Sequence, residues 1–438
     1  MALSLRLRRK ASRGAHTPEL LPVWVVAPLS LLVVGAISLI LYQYVQELMA
    51  HQPSSPRQPA DGTGVRDVIE TTMTVLTLIG AVFAGVYAYR RQLIAEADAH
   101  RADAGQLADR YTTAALQLGH DQAAVRLAGV YALARLADDW EEQRQVCIDV
   151  LCAYLRMPYQ PAPGHAGYKK GERQVRHTII RIIRDHLQAP DLPASWSACD
   201  FDLTGATLDG GDLGGSHFHG TVDFTGAVFS DGTLSLSRTT FRGTARFTAA
   251  TLSGGTLDFT EATLRGSTLD FSRSTLSGGT VSFHRATLDT ATVAFCGATL
   301  NAGKISFSNM TLNAGAVSFS GAILNSGTVS FAGMTLNGGT VSFSRATVND
   351  GTVSFGDAAL DAGTVHFGDV TLTGGILEFT GATLGGSEIY FKRARLSGGT
   401  LDYSSATLVA GAAAPFFDNA TFGGSQLVWG HLPHPPGA

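Results

Sequence analysis

From Phe201 the chain reads Phe201-Asp202-Leu203-Thr204-Gly205, Ala206-Thr207-Leu208-Asp209-Gly210, Gly211-Asp212-Leu213-Gly214-Gly215, Ser216-His217-Phe218-His219-Gly220. The large residues Leu203, Leu208, Leu213 and Phe218 stand five apart, and two positions before each is Phe201, Ala206, Gly211 or Ser216, mostly small. Further on the period becomes twelve. Leu252, Leu264, Leu276, Leu288, Leu300, Leu312 and their successors to Leu408 keep that spacing, with Val348 once in the series. So do Phe259, Phe271, Phe283, Phe295, Phe307, Phe319, Phe331, Phe343, Phe355, Phe367, Phe379, Phe391 and Tyr403. The unit is Ala-Thr-Leu-x-x-Gly-Thr-Val-x-Phe-x-x, with seven residues from Leu to Phe and five from Phe to the next Leu. Each unit is therefore two fives with two extra residues, commonly Gly-Thr, at one corner. A fixed period over so long a stretch signals a repeat architecture in which each unit buries its apolar face against the next.

The tandem fives closely resemble the pentapeptide-repeat family, whose pattern is A(D/N)LxG. The resemblance covers roughly residues 199–429 and implies an all-β, right-handed quadrilateral β-helix whose central Leu or Phe, and the residue two before it, point inward. The twelve-residue unit departs from the strict pattern and leaves two coil geometries open. One unit per coil makes a flat, two-sided ribbon; two units make a four-sided coil of 24 residues. Four inward side chains such as Ala262, Leu264, Val281 and Phe283 crowd a minimal ribbon, whereas a square section gives them room to reach interior density. The 24-residue coil is favoured. The named Leu, Phe and Tyr403 positions form the expected inward ladder, each buried side chain contributing about 1.5–3 kcal/mol. At the far end Phe422 and Trp429, with Trp429 in a Phe position and Pro433, Pro435 and Pro436 beyond, read as a C-terminal cap that closes the stack and stops strand pairing. Trp196 and the helices before it are candidates for the other cap.

The chain has 438 residues, 50 of them Gly, and a formal charge of −4, which indicates neither a strongly basic nor a strongly acidic binding protein. Residues 200–438 carry −7 of charge against +3 for residues 1–199. Cys147, Cys152, Cys199 and Cys296 are too few for a disulfide scaffold. Cys147 and Cys152 lie about 140° apart round a helix at ~3.6 residues per turn, which suits core residues better than a metal or redox pair.

The amino-terminal part reads as membrane-inserted. Residues 20–46 hold no charge and bear Trp24, Tyr42 and Tyr44 toward their flanks. This run is long enough to span a bilayer core of about 30 Å and too long for the apolar region of a cleaved signal. A second uncharged run, within residues 69–89, ends at Tyr89-Arg90-Arg91-Gln92. The basic residues Arg6, Arg8, Arg9, Lys10 and Arg13 precede the first span, and the intervening segment has only Arg57 and Arg66. The excess of Lys and Arg on the outer flanks places both termini in the cytoplasm. The expected order is a basic N-terminus (1–19), transmembrane helix 1 (20–46), a short external loop (47–68), transmembrane helix 2 (69–89), a cytoplasmic helical connector (90–156), a linker with a short helix (157–198), the solenoid (199–429) and a Pro-rich tail (430–438). Within the connector, Gly119-His120-Asp121 reads as a break with Asp121 capping the next helix. Arg176, Arg181 and Arg184 read as a basic helical face, either solvated or near anionic lipid.

Chemistry-bearing motifs are scarce. Gly297–Lys304 fails as a phosphate loop because its spacing is one residue too long and Ile305 replaces Ser or Thr. His217, His219, His431 and His434 lack partners at metal-binding spacing. Two outward Thr series, one through Thr263, Thr275 and Thr287 and one through Thr256, Thr268 and Thr280, suit strands and solubility, although flat Thr arrays also order water in ice-binding solenoids. No catalytic residue, cofactor or metal is expected. The basic N-terminus, the two spans, the Tyr89–Gln92 stop, the helical Arg126-Leu127-Ala128-Gly129-Val130-Tyr131-Ala132-Leu133 and the repeats together resemble bacterial membrane-anchored pentapeptide-repeat proteins. The expectation is a non-enzymatic scaffold in the inner membrane, held in the lipid bilayer by two helices, binding a cytoplasmic protein and no nucleic acid. The alternative is a DNA-mimicking regulator of DNA gyrase or another nucleic-acid-binding protein, as for some soluble members of that family.

Overall fold

A computed structural model describes residues 23–50 and 63–434. The expected basic N-terminus, most of the external loop and the last four residues of the tail lie outside the described residues. Helix α1 runs from Val23 to Ala50 with Pro28 inside it, and α2 runs without a break from Thr63 to Leu118. Among the described residues one helix, within α2, is long and apolar enough to cross a membrane; the apolar stretch of α1, Leu32–Tyr44, is shorter.

The chain divides into two compact units at Ala108/Asp109. In the second, the end of α2 leads into α3 (Ala123–Asp139), α4 (Arg144–Arg156) and α5 (Glu172–Leu187). Gly129 lets α3 cross closely, since a Cβ there would lie 2.7 Å from the Leu118 amide nitrogen. The capping role expected of Asp121 is not realised. The N-cap of α3 is Gln122, whose side chain makes no cap. Instead the His120 ring accepts from the Gln122 amide at 3.0 Å, and the Arg126 guanidinium ties down the carbonyls of His120 and Asp121 at 2.8 and 2.6 Å.

Helices α4 and α5 pack on the first coil of the solenoid. Trp196, fully buried, stacks on His186 with centroids 4.1 Å apart. Arg176 is not part of a solvated basic face, because its spacing from Arg181 and Arg184 turns it inward. It is 2% exposed. Its guanidinium donates to the carbonyls of Leu155, Tyr154 (3.3 Å) and Thr207 (3.0 Å) and lies 4.4 Å over the Tyr159 ring. Three Asp residues of the first coil meet this helical layer. Asp202 pairs with Arg156, and Asp212 pairs with Arg184 at 2.5 Å. Buried Asp209 accepts from Tyr159 (2.8 Å) and Arg173 (2.9 Å) and meets His177 Nε2 at 3.0 Å. Burial alone would raise the Asp209 carboxyl, but the His177 and Tyr159 hydrogen bonds and the charges of His177 and Arg173 hold it below the usual range.

The solenoid is four-sided. Strands beginning at Phe201, Thr207, Gly211 and His217 start four parallel sheets, here faces A, B, C and D, of 9, 10, 10 and 9 strands. Coil length grows along the rod. Phe201 pairs with Val222, Val222 with Ala245, and Ala245 with Leu269, steps of 21, 23 and then 24 residues. From there the register holds at 24, as in Thr287↔Thr311 and Leu300↔Leu324. The coil is thus two twelve-residue units. With neighbouring strands about 4.8 Å apart, about ten turns span roughly 48 Å; the strict fives add turns beyond those of the twelve-residue units.

Two corner types alternate. The tight corners, A to B and C to D, are four-residue turns such as Phe259–Ala262, closed by the Ala262 amide on the Phe259 carbonyl at 3.0 Å. Their third residue is left-handed, and it is often not Gly: Arg273, Arg285, Asn309, Arg345 and Arg393 all have φ between 55° and 59°. The wide corners hold the two extra residues of each unit. There glycine serves close approach: a Cβ at Gly279 would lie 2.6 Å from the Leu252 Cβ of the coil below.

Inside, the register sorts residues by face. Faces A and C carry the Phe series, and faces B and D carry the Leu series with their small partners. One Phe column runs from Phe224 through Phe247, Phe271 and onward to Phe417, the other from Phe259 to Tyr403. Within each, rings lie nearly parallel with centroids 4.4–5.3 Å apart. Between columns they meet edge to face, for example Phe271 and Phe283 at 6.3 Å and 88°. At the carboxy end Trp429 packs edge-on to Tyr403 at 5.0 Å, and its Nε1–H donates to the Pro433 carbonyl at 2.5 Å. In the register Gln426↔Thr400, Pro433 falls above Thr407, whose amide donates to the Ala382 carbonyl at 2.9 Å. Proline has no amide with which to repeat that bond.

Several buried hydroxyls interrupt this core, Ser274 and Tyr403 among them. Ser274 occupies an Ala position between Ala250 and Ala298, and Tyr403 occupies a Phe position; both are fully buried with no hydrogen-bond partner. An orphan buried hydroxyl costs about 1–3 kcal/mol, so Ser274→Ala and Tyr403→Phe are each expected to raise the unfolding midpoint by an amount equivalent to about 1 kcal/mol. Phe307→Ala, which opens the ring column, is expected to lower stability by about 3–5 kcal/mol. Chemical denaturation of the three variants checks both signs. Because the folded Asp209 carboxyl lies below its unfolded value of about 3.9, its contribution is complete above that pH and is lost as pH falls through the folded value. Asp209→Asn is therefore expected to destabilise at pH 7 and to cost progressively less below about pH 4, as read by unfolding midpoints across that range.

Candidate interaction surface

The structure places the inward series as follows. Leu203, Leu208, Leu213 and Phe218 are 2–5% exposed, and the Leu and Phe positions from Leu252 to Tyr403 that sequence assigned to the interior are all buried. Trp429 is 5% exposed, while Phe422 is only half-buried at the open end. The residues form one column system and no cleft. Cys147 and Cys152 are free and buried, their thiols pushed up to about 11 and about 12 by burial. Among the described residues no group of three His, Cys, Asp or Glu side chains gathers as a metal site. The Tyr403 phenol, fully enclosed, is pushed far above its ordinary value by the same cause.

What varies is the outside. Each sequence Thr series divides between opposite faces: Thr275 and Thr299 lie on face B, Thr263 and Thr287 on face D, Thr256 and Thr280 on face C, Thr268 and Thr292 on face A. Two dense columns become four sparser ones, because successive units occupy alternate sides of a square coil. Along the corner from face B to face C runs an amide ladder. Asn325 donates to Asn301 at 2.8 Å, Asn349 donates to Asn325 at 2.8 Å, and Thr373 donates to Asn349 at 2.9 Å. Between Asp289 and Arg345 the only charged residue is Lys304, so the middle of the rod presents hydroxyls, amides and glycine.

Toward the carboxy end that uniformity stops. On face A the outward column of Ser318 and Ser342 continues as His366, Tyr390 and Phe416. His366 and Tyr390 stack at 5.4 Å, and Tyr390 and Phe416 at 5.1 Å. The Tyr390 hydroxyl donates to Glu388 at 2.7 Å, and this bond raises the phenol above its usual range. At the adjoining A-to-B corner Arg393 grips Asp369 of the coil below through two bonds of 2.7 and 2.6 Å. That hydrogen bonding, reinforced by the charges of Arg393, Arg345 and Arg395, keeps the Asp369 carboxyl below the usual range. Arg345, Lys392 and Arg395 make no ion pair among the described residues. Sequence reasoning passed over this cluster. Its signal was Tyr390-Phe391-Lys392-Arg393-Ala394-Arg395, where the units around Phe307, Phe319, Phe331 and Phe343 read Ser-Phe-Ser or Ser-Phe-Ala.

No curated protein matches the chain, and no solved structure matches it. Residues 203–251 match the family model described as pentapeptide repeats (9 copies), so the first coils of this β-solenoid are built from pentapeptide repeats.

Proposed function

We propose that this chain is a non-catalytic interaction scaffold, anchored in a bacterial inner membrane by two amino-terminal helices, that offers its β-solenoid to a cytoplasmic protein. The observation that carries the reading is the division between a uniform interior and a non-uniform exterior. Every coil packs the same residue types inward, so folding is met by the repeat alone. Departures from the repeat fall instead on outward positions, charged in the first coils and charged and aromatic near the carboxy end, where packing makes no demand. A surface of that kind serves recognition. The apolar stretch of α2 and the shorter one of α1 support anchoring, and the Lys and Arg flanks support cytoplasmic termini.

The DNA-mimic reading has less behind it. B-DNA carries one charge per about 1.7 Å, whereas the central coils hold almost none. The scaffold reading expects the full chain to sediment with membranes after an alkaline carbonate wash and to need detergent for release. It also expects proximity labelling from the C-terminus to recover cytoplasmic proteins, and cross-linking followed by purification from solubilised membranes to retain a discrete set of them. Release by carbonate, or labelling of periplasmic proteins alone, contradicts it.

A further inference from the structure

Outward arginines occur in the first coils as well, but in the C-terminal cluster described above they lie beside a column of outward aromatic rings. Resting on the scaffold reading, we propose that the A–B corner of the last coils docks an acidic segment of the partner polypeptide. Aromatic rings and arginines beside each other are the composition of interface hot spots, and here Tyr390 adjoins Lys392, Arg393 and Arg395 in the same turn of chain while Phe416 of the next coil stacks on Tyr390. The fold does not require them. Equivalent outward positions lower in the rod hold Ser342, Ser318 and Thr347.

The left-handed residue at this corner changes along the rod, from Ala249 and Arg273 (φ 55° and 59°) to Gly297 and Gly321 (φ 65° and 67°). Arg345 and Arg393 take up the same conformation, at φ 58° and 56°, where a side chain costs about 1–2 kcal/mol over glycine. Charge selects the partner. Arg393 is satisfied by Asp369, which leaves Arg345, Lys392 and Arg395 as cations without an ion pair among the described residues, in a half of the chain whose balance is −7. Glu388 and Asp369 lie within the same patch, so a continuous polyphosphate backbone would meet carboxylates. Spaced side-chain carboxylates with an apolar residue between them can reach the cations and rest on the rings.

The test uses the full chain in phosphatidylcholine nanodiscs and a fluorescein-labelled 15-residue peptide of repeated Glu-Leu-Glu, read by fluorescence anisotropy. The unaltered chain should bind it in a salt-sensitive manner. The combined variant Arg345→Glu, Lys392→Glu, Arg395→Glu should weaken binding by at least about tenfold, as loss of complementary interface charge does. Tyr390→Ser with Phe416→Ser should weaken it with less change in salt dependence. Arg285→Glu, at the opposite tight corner, should leave binding unchanged, and unaltered circular dichroism shows that each variant is folded. No binding by the unaltered chain, equal loss in Arg285→Glu, or tighter binding of a 15-nucleotide single strand or of phosphatidylglycerol vesicles overturns the proposal. If the charge-reversed chain still retains the same cross-linked proteins from membranes, the docking corner is wrong while the scaffold reading stands.

Discussion

The contact on which the rest depends is the edge-to-face meeting of two phenylalanine columns across the interior of a square coil. Within a column, in-register pairing forces ring upon ring at the strand spacing; across the interior, rings from faces A and C close the section at 6.0–6.3 Å. Such aromatic pairs add about 0.5–1.5 kcal/mol beyond the area they bury. The Leu and Ala series on faces B and D fill the remaining width. Because every coil offers the same interior, stability accumulates coil by coil and the exterior is free to vary.

A stack of parallel strands exposes unpaired edges at both ends, and the two ends are handled differently. At the amino end, helices α4 and α5 and the buried Trp196 cover the first coil, and a buried arginine and aspartate fix that cover by hydrogen bonds to carbonyls, tyrosine and histidine. The Asp residues of the strict pentapeptides are the anchor points, so the first coil is shaped to receive helices rather than another coil. At the carboxy end Trp429 lies edge-on to the last ring, and Pro433 withholds the amide that a further strand would use. Closure there is partial: Phe416 and Val409 remain 37% and 45% exposed.

Much of this could be read from residue spacing. Two apolar series seven and five apart determine which residues point inward, since side chains alternate along a strand. The choice between ribbon and square followed from side-chain volume, and the register of 24 agrees with it. Spacing says less about which side of a coil a unit occupies, which is why two Thr series resolved into four faces. Local hydrogen bonding was harder still. Asp121 has the chemistry of a helix cap, yet Arg126 reaches the same carbonyls from within the helix, and Arg176 looked solvated because no sequence pattern announces a guanidinium that binds backbone oxygens in the interior. The outward cluster near Arg393 was hidden by attention to the inward series.

The account stands or falls on the square coil, and a pair of cysteine placements tests it. In a chain whose native cysteines are replaced by Ala, Thr287→Cys with Thr311→Cys puts two thiols on facing residues of neighbouring strands of face D. Strand neighbours about 4.8 Å apart lie within the Cα span of about 4.4–6.8 Å that a disulfide bridges. Thr287→Cys with Thr299→Cys puts them on opposite faces, D and B. The account predicts a disulfide under mild oxidation for the first pair and none for the second. A bond in the second pair and not the first would mean one twelve-residue unit per coil, and the interior described here would be wrong.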